Sequence, residues 1–533
     1  MNDFVRRICA GALALASLSP VCAAPGAADD GPRFRFTEPM GSSPVGFRVV
    51  EQFDYSRSYR PTSDELGRPF AGERARPIQL SIWYPGKERG RKPMTVGDYA
   101  DLSATELSFG APRRTTEILE RAIGMKAARH EQMSATRDLP AAAGRYPVIF
   151  YAPSFSSTSW ENADLCEYLA SHGYLVVASA SVGAATRGMT GDLGGIDAQA
   201  RDISFAIGYA QALPNADISQ VAVIGFSWGG MANLFAAARD NRIGALVALD
   251  GSLRYWPARI KEAGDVHPER MSIPLLYFSS QERTLEEWAH DGAGPDFKED
   301  RSALNEWTHG DLVMVHMLGM THGEYSSMFQ RDDDFWDDYP NWQKADYGRE
   351  DGMAGYAWMA RYTLAFLDGR LKGDSAAKAF LTATPAQNGA PKHFMSVSYR
   401  AAGGVPPSFD GYRREIGRLG FAKAAEIYAA LRKESADFHL DEVALLDWAS
   451  DLVADDHASE ALQLLQLAAA LYPASSAVHT GLADMYAHDG KLADAMVAYK
   501  KALENDPTNA RARIRLKRLQ AAPIHAAPLP RPN

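Results

Sequence analysis

Residues 220–239 read Q-V-A-V-I-G-F-S-W-G-G-M-A-N-L-F-A-A-A-R, and this stretch decides the fold. A short β-rich apolar run from Val221 to Ile224 leads into G-x-S-x-G at 225–229, and an alanine-rich helical pattern follows. Strand, G-x-S-x-G and helix are the pattern of a nucleophile elbow, in which a tight, strained turn holds a serine hydroxyl above the edge of a sheet. Glycines beside the serine let the strand and the helix approach closely. The pattern predicts Ser227 as a nucleophile, with an ordinary Gly-rich turn as the alternative.

The segments around this stretch alternate between apolar, β-rich runs and amphipathic helical patterns. Repeated β-α-β units with short right-handed crossovers predict a mostly parallel sheet with helices on both faces. Together with the elbow strand, the strand candidates predict an α/β fold with eight strands. They are residues 46–53, 78–84, 147–152, 174–180, 243–249, 273–278 and 312–318.

Three polar residues follow strands of this predicted sheet. Ser227 follows one strand, Asp250 ends the next, and His322 lies just past the last. Active groups gather at the carboxyl ends of parallel strands, so these side chains are expected to meet. A serine hydroxyl needs a histidine to accept its proton, and a buried carboxylate must orient that histidine. We therefore predict a Ser227, Asp250 and His322 triad, with Glu282 as the alternative acid.

The negative charge that develops on the substrate must also be held by the protein. The residue after the nucleophile, Trp228, can donate one backbone N–H, and the loop after Ala152 should supply a second. That loop reads P-S-F-S-S at 153–157. We predict the amides of Trp228 and Phe155 as the oxyanion-hole donors.

These residues resemble the platelet-activating-factor acetylhydrolase and dienelactone-hydrolase-like branch of the α/β-hydrolases. The resemblance covers about residues 40–370 and implies ester hydrolysis through an acyl-serine intermediate, without a metal or cofactor. It also implies that the acid follows the strand after the elbow, where Asp250 stands. The chain departs from the branch at Pro153-Ser154, which replace an H-G pair, and at Trp228, where phenylalanine is usual. The segments that carry the resemblance are R-P-I-Q-L-S-I-W-Y-P-G at 76–86, residues 147–180, G-F-S-W-G-G, A-L-V-A-L-D-G at 245–251 and M-L-G-M-T-H-G-E at 317–324.

Composition excludes several other classes of function. The net charge of −10, from 66 acidic and 56 basic residues, argues against nucleic acid or an anionic membrane surface as the main partner. No stretch after the N-terminus is long and apolar enough to span a membrane. No Cys, His or carboxylate cluster has metal-ligand spacing, and no glycine loop would cradle a phosphate. The sequence therefore predicts neither a metal nor a cofactor.

The N-terminus has the pattern of a secretory signal peptide. Arg6 and Arg7 precede an apolar run at 8–18, and Val21-Cys22-Ala23 offers a cleavage site. We predict a signal peptide at 1–23 and a periplasmic or secreted protein, with a buried N-terminal helix as the alternative. Cleavage there would leave Cys166 as a lone cysteine, interpreted as a helix-packing residue.

The rest of the chain divides by composition. Residues 24–372 are predicted to form the hydrolase domain. Within it, 97–135 form a helical insertion that is either a lid or pocket wall, or surface decoration. Residues 373–410, rich in Gly, Pro, Ser and Ala, are predicted to be a linker. Residues 521–533 contain four prolines and are predicted to be a disordered tail.

Residues 411–520 are helical in pattern and repeat themselves every 34 residues. This is the tetratricopeptide period, with its small, large and proline positions in place. We therefore predict an all-α domain of tetratricopeptide-like helical repeats. Its role is structural packing or self-association, or binding of a protein partner. The matched positions are Trp448, Ala449, Leu452, Ala461, Leu465, Ala468 and Pro473, followed by Leu482, Ala483, Tyr486, Ala495, Tyr499, Ala502 and Pro507.

These observations together predict an exported serine hydrolase that acts on a small or short-acyl ester as its small-molecule substrate. A peptidase or amidase with the same triad is one alternative. A non-catalytic repeat-containing interaction protein is the other, and the complete Ser, Asp and His set argues against it.

Overall fold

The computed structural model describes residues 34–64, 66–88, 92–109, 128–280, 302–332 and 347–521. The predicted signal peptide at 1–23 lies outside the described residues, as does the predicted tail beyond Ala521. In the described part of the chain, no helix has both the length and the apolar composition that a bilayer crossing requires. The chain divides into two compact units after Gly403.

The first unit is built on one large sheet. In chain order its strands are β1 Val45–Ser58, β2 Ala75–Pro85, β3 Ala135–Arg137, β4 Tyr146–Ala152, β5 Leu175–Ala178, β6 Ala216–Phe226, β7 Ile243–Leu249, β8 Leu275–Ser279, β9 Leu312–Met317 and β10 Met395–Arg400. The order across the sheet is β10-β9-β8-β7-β6-β4-β5-β2-β1-β3. Strands β4 to β9 run parallel to one another, while β2 and β10 pair antiparallel with this block.

Helices cover both faces of the sheet, as the alternating pattern predicts. Strand β4 shows the two faces most clearly, because successive side chains of a strand point in opposite directions. Ile149 and Tyr151 belong to one apolar core, whereas Val148 and Phe150 belong to the other. The predicted fold class, a mostly parallel α/β-hydrolase sheet followed by an all-α region, is confirmed.

The helices of the first unit lie mainly in the β-α crossovers. They are α1 Val96–Ala100, α2 Ala163–Ser171, α3 Leu193–Ala210, α4 Trp228–Arg239, α5 Pro257–Ala263, α6 Ala303–Glu306, α7 Ser327–Gln330, α8 Arg349–Leu371 and α9 Ser375–Thr382. Helix α2 carries Cys166, which is a free and buried thiol.

The sheet has ten strands rather than the predicted eight, because β3 and β10 add one strand at each edge. The prediction of a linker at 373–410 was wrong in part, because this segment contains both strand β10 and helix α9. Met395 is buried, but Tyr399 is 44% exposed. An edge strand that buries only part of its side chains, between Gly- and Pro-rich segments, has a weak hydrophobic pattern, and the sequence interpretation missed it.

The predicted helical insertion at 97–135 is described at its two ends, and 110–127 lie outside the described residues. The ends contain the short helix α1, two 3₁₀ turns and strand β3, and the helical character of the insertion stays a prediction. Both ends are bound to Glu167 on α2. The Tyr99 hydroxyl donates to one carboxyl oxygen over 2.7 Å, and the Ser134 amide donates to the other over 2.7 Å. Whether the insertion acts as a lid stays open.

The second unit consists of helices. They are α10 Phe409–Leu419, α11 Ala424–Glu434, α12 Glu442–Ala454, α13 Ala458–Leu471, α14 Ser476–His488, α15 Leu492–Asn505 and α16 Ala510–Ala521. The pair α12–α13 recurs as α14–α15 at the predicted 34-residue spacing. The small residues of the repeat are buried between the helices, as at Ala461 and Ala495, both 0% exposed. The assignment of this unit to the tetratricopeptide class stays a prediction.

Candidate active site

Ser227 stands at the turn between β6 and α4 in a strained backbone conformation. Its φ is 52° and its ψ is −116°, a region that residues with a side chain rarely adopt. The neighbouring glycines make the turn possible. A Cβ on Gly229 would lie 2.0 Å from the carbonyl oxygen of Ala152, and a Cβ on Gly225 would lie 2.2 Å from that of Gly229. The turn therefore places the serine at the carboxyl end of a central strand, against the loop that follows β4.

The structure brings the three predicted triad residues together. The Nε2 atom of His322 lies 2.9 Å from the Oγ of Ser227, and its Nδ1 atom lies 2.8 Å from the Oδ2 of Asp250. With a proton on Nδ1, the ring donates to the carboxylate and offers Nε2 as an acceptor for the serine proton. His322 keeps 27% of its side chain exposed, whereas Asp250 is buried. The ring can therefore meet a substrate, while its carboxylate partner stays away from water.

Two residues that the sequence interpretation did not identify also bind Asp250. The Tyr255 hydroxyl donates to Oδ1 over 2.7 Å, and the Ser280 hydroxyl donates to Oδ2 over 2.8 Å. Burial raises the pKa of Asp250, but the hydrogen bond and charge of His322 and the two hydroxyls outweigh it and hold the pKa below its usual value. The carboxylate is thus kept ionised beside the histidine. The alternative acid, Glu282, lies outside the described residues.

The two predicted oxyanion donors belong to the loop after β4 and to the first residue of α4. Among the described residues, neither the Phe155 amide nor the Trp228 amide donates a hydrogen bond to another protein group. Ser157 N–H donates to the carbonyl of Ser154 over 3.1 Å, which closes a tight turn around Phe155. Their side chains also meet, since the rings of Phe155 and Trp228 lie edge to face, with centroids 5.4 Å apart.

Aromatic rings pack against His322 and against Trp228, the residue after the serine. The Trp228 ring lies edge to face with Trp256, at 6.3 Å between centroids. The Phe226 ring lies 5.1 Å from that of His322. Apolar surroundings strengthen hydrogen bonds and ion pairs at the reacting groups, because they exclude water. Within the described residues, no group of three or more His, Cys, Asp or Glu side chains is placed to hold a metal ion.

The fold and this geometry define the class of the protein. The first unit has the α/β-hydrolase fold, and a strained serine after a central strand lies in hydrogen-bonding line with a histidine and an acid that follow later strands.

Comparisons with known proteins find similarity to a protein family and to solved structures. The sequence model of the family described as "Chlorophyllase" matches residues 125–252, which include the predicted oxyanion loop, Ser227 and Asp250 but not His322. A solved structure of a ferulic acid esterase from Streptomyces cinnamoneus is similar, with a TM-score of 0.43 and 19% sequence identity over 64% of this chain and 93% of that chain. No curated protein sequence matches the chain.

Proposed function

We propose that this chain is an exported serine hydrolase that cleaves a small or short-acyl carboxylic ester through an acyl-serine intermediate. The observation that carries the proposal is the continuous hydrogen-bonded path from Ser227 through His322 to Asp250. Such a path turns a weakly nucleophilic hydroxyl into one that attacks a carbonyl carbon. The similarity of 125–252 to the chlorophyllase family supports an ester rather than another carbonyl substrate.

In the first half of the proposed reaction, the Ser227 Oγ attacks the ester carbonyl while His322 Nε2 takes the hydroxyl proton. Asp250 stabilises the imidazolium that forms and keeps the ring in place. The carbonyl oxygen becomes an oxyanion, which the amides of Trp228 and Phe155 are proposed to bind. The tetrahedral intermediate then collapses, and the alcohol leaves with the proton that His322 returns.

In the second half, a water molecule gives a proton to His322 and attacks the acyl-serine. The same oxyanion donors hold the second tetrahedral intermediate. Its collapse breaks the bond to the Ser227 Oγ, returns the proton to that oxygen, and releases the carboxylic acid. Beside the serine, the rings of Phe155, Trp228 and Trp256 pack together in sequence, and an apolar cluster of this kind suits a compact acyl group better than a charged one.

Labelling with a fluorophosphonate probe tests the proposal. Wild-type protein should be labelled, and Ser227→Ala should not, because the probe bonds covalently to an activated serine. Equal labelling of the two proteins, or none of either, would refute the enzyme assignment and favour the interaction-protein alternative. If labelling depends on Ser227, faster cleavage of an aminoacyl anilide than of p-nitrophenyl acetate would favour a peptidase or amidase instead.

Export is a separate part of the proposal and rests on the N-terminal sequence pattern. Expression of the full-length chain in a bacterial host, followed by mass spectrometry of the periplasmic fraction, tests it. We expect a mature N-terminus at residue 24. Full-length protein in the cytoplasmic fraction would contradict this part and leave the enzymatic part standing.

A further inference from the structure

We propose that Glu161 is a positioning residue that sets the shape of the oxyanion loop, defined as residues 153–157, and ties that loop to the segment that carries His322. The inference rests on the proposed function, because it assigns the loop a part in the same reaction. Glu161 precedes helix α2, and its carboxyl group binds Tyr151 and Ser154. It would act through the Phe155 amide rather than on the substrate.

The carboxyl group of Glu161 is fully buried and accepts hydrogen bonds from the loop. Its Oε2 accepts the Ser154 N–H over 2.8 Å and the Tyr151 hydroxyl over 3.0 Å, and its Oε1 accepts the Ser154 hydroxyl. Tyr151 belongs to strand β4, which enters the loop. Both the backbone and the side chain of Ser154 are therefore held by one buried group that is itself anchored to the sheet.

Holding Ser154 fixes the direction of the next amide. The peptide group between Ser154 and Phe155 is planar, so its C=O and N–H point in opposite directions. The Ser154 carbonyl accepts the Ser157 N–H, and this bond fixes one side of the plane. The Phe155 N–H on the other side then has a defined direction. A rotation of Ser154 would turn this donor away from the oxyanion, and oxyanion stabilisation depends steeply on that geometry.

The backbone of Glu161 makes the second connection. Its carbonyl accepts the Met328 N–H and the Ser326 hydroxyl, each over 3.1 Å. The adjacent Asn162 extends the link, since its side chain accepts the Ser327 N–H over 2.9 Å and donates to the Tyr325 carbonyl over 2.9 Å. These four partners are residues 325–328, which lie three to six positions after His322 in the chain. One short segment thus connects the oxyanion loop with the histidine segment.

A carboxyl group is the side chain that these contacts require. Three donors meet its two oxygens, and the amide of glutamine offers only one oxygen beside an NH₂ group. In Glu161→Gln, the NH₂ group would face either the hydroxyl or the amide of Ser154. Facing the amide, the NH₂ group would set donor against donor. Facing the hydroxyl, it would force that group to turn and accept, so the hydroxyl proton would lose its buried acceptor. The loop must then move, and Phe155 moves with it.

Glu167 offers a matched control six residues further along the chain. It is also buried, and it also accepts a tyrosine hydroxyl and a serine amide, but from Tyr99 and Ser134 in the insertion. Glu167→Gln therefore makes the same chemical change in the same part of the fold without touching the oxyanion loop. Any loss of activity that follows from general destabilisation should appear in both variants.

The test compares Glu161→Gln, Glu167→Gln and Glu161→Asp with the wild type. It measures the melting temperature, kcat/KM on p-nitrophenyl acetate and the inhibition constant of phenylboronic acid. The boronic acid forms a tetrahedral adduct with the serine and so reports on the oxyanion hole. We expect Glu161→Gln to lower kcat/KM about 10- to 100-fold and to raise the inhibition constant of phenylboronic acid by a similar factor. Glu167→Gln should change either value by no more than about twofold, and Glu161→Asp, which keeps the carboxylate, should recover part of the loss.

If the wild type hydrolyses the ester and the two glutamine variants have the same kcat/KM as each other, the inference is overturned and the proposed function stands. A wild type without Ser227-dependent hydrolysis would overturn both. If Glu161→Gln fails to fold, Glu161→Asp decides the question. A folded aspartate variant with weaker phenylboronic acid binding supports the inference, and one with wild-type inhibition overturns it.

Discussion

The Oδ2 atom of Asp250 lies 2.8 Å from the Nδ1 atom of His322, although the two residues are 72 positions apart in the chain. The same oxygen accepts the Ser280 hydroxyl, and the other oxygen accepts the Tyr255 hydroxyl. The carboxylate therefore has protein donors on both oxygens. This relationship favours Asp250 as the acid of the triad and makes it open to direct test.

We expect Asp250→Asn to lower kcat on p-nitrophenyl acetate by about 10⁴-fold, because an amide would favour the wrong tautomer of His322 and could not stabilise its charge. Steady-state kinetics with the purified variants measure the effect. Glu282→Gln is the control and should retain wild-type activity. Near-normal activity of Asp250→Asn together with loss in Glu282→Gln would move the acid to position 282.

The hydroxyls on Asp250 should tune the pH dependence of the reaction. Because the Tyr255 and Ser280 donors lower the pKa of Asp250, the double variant Tyr255→Phe with Ser280→Ala should raise it. The carboxylate then takes up a proton at a higher pH, and activity is lost earlier as the pH falls. The acidic limb of a kcat/KM profile should therefore move to higher pH. An acidic limb at the wild-type position would show that these donors have no influence on catalysis.

The close approach at the elbow predicts that Gly229→Ala is not tolerated. Its Cβ would lie 2.0 Å from the Ala152 carbonyl oxygen, so the strand, the helix or the oxyanion loop would have to shift. We expect loss of fluorophosphonate labelling together with a lower melting temperature. Gly188→Ala is the matched control, because nothing lies within 4 Å of the position its Cβ would take. Wild-type labelling of Gly229→Ala would contradict the geometry described for the turn.

Glu167 should make stability depend on pH in a definite direction. Burial raises the pKa of Glu167 most, and the charge of Asp164 raises it further, to about 7 from 4.5. The hydrogen bonds from Tyr99 and Ser134 lower it by less. Between these pH values the folded chain holds a proton that the unfolded chain has lost, so the free energy of unfolding falls as the pH rises.

Urea denaturation of the wild type and of Glu167→Gln at pH 5 and pH 7.5 tests this dependence. Glutamine does not ionise, so the difference between the two proteins isolates the contribution of Glu167. Between pH 5 and pH 7.5, the free energy of unfolding of the wild type should fall by about 2–3 kcal/mol more than that of the variant. Parallel pH dependence of the two proteins would contradict the raised pKa.

The repeat unit predicts a sharp difference between two neighbouring positions on helix α15. Ala495 is 0% exposed, and Val497 is 67% exposed. Ala495→Leu should overpack the contact between helices and cost about 1–3 kcal/mol of unfolding free energy, whereas Val497→Leu should have little effect. Thermal unfolding followed by far-ultraviolet circular dichroism measures both. Equal effects would show that the two side chains do not differ in burial.

The sequence by itself determined the α/β fold class, the elbow around Ser227, the positions of Asp250 and His322, and the 34-residue period of the helices. These features have local or periodic signals. A buried parallel strand is apolar along its length, an elbow needs small residues at fixed offsets, and strand order places the following residues at one edge. A local sequence pattern is the basis of the signal-peptide prediction, and composition is the basis of the disordered-tail prediction; both remain predictions.

The tertiary structure decided the features that depend on contacts without a local pattern. Strand β10 exists because it pairs with β9, although its own sequence resembles a linker. Tyr255 and Ser280 bind Asp250 only after three separate segments meet at the edge of the sheet. Glu161 reads in the sequence as an ordinary charged residue near a helix start. Its importance follows from complete burial beneath the oxyanion loop, and burial of a single polar side chain is set by the packing of distant elements rather than by its neighbours in the chain.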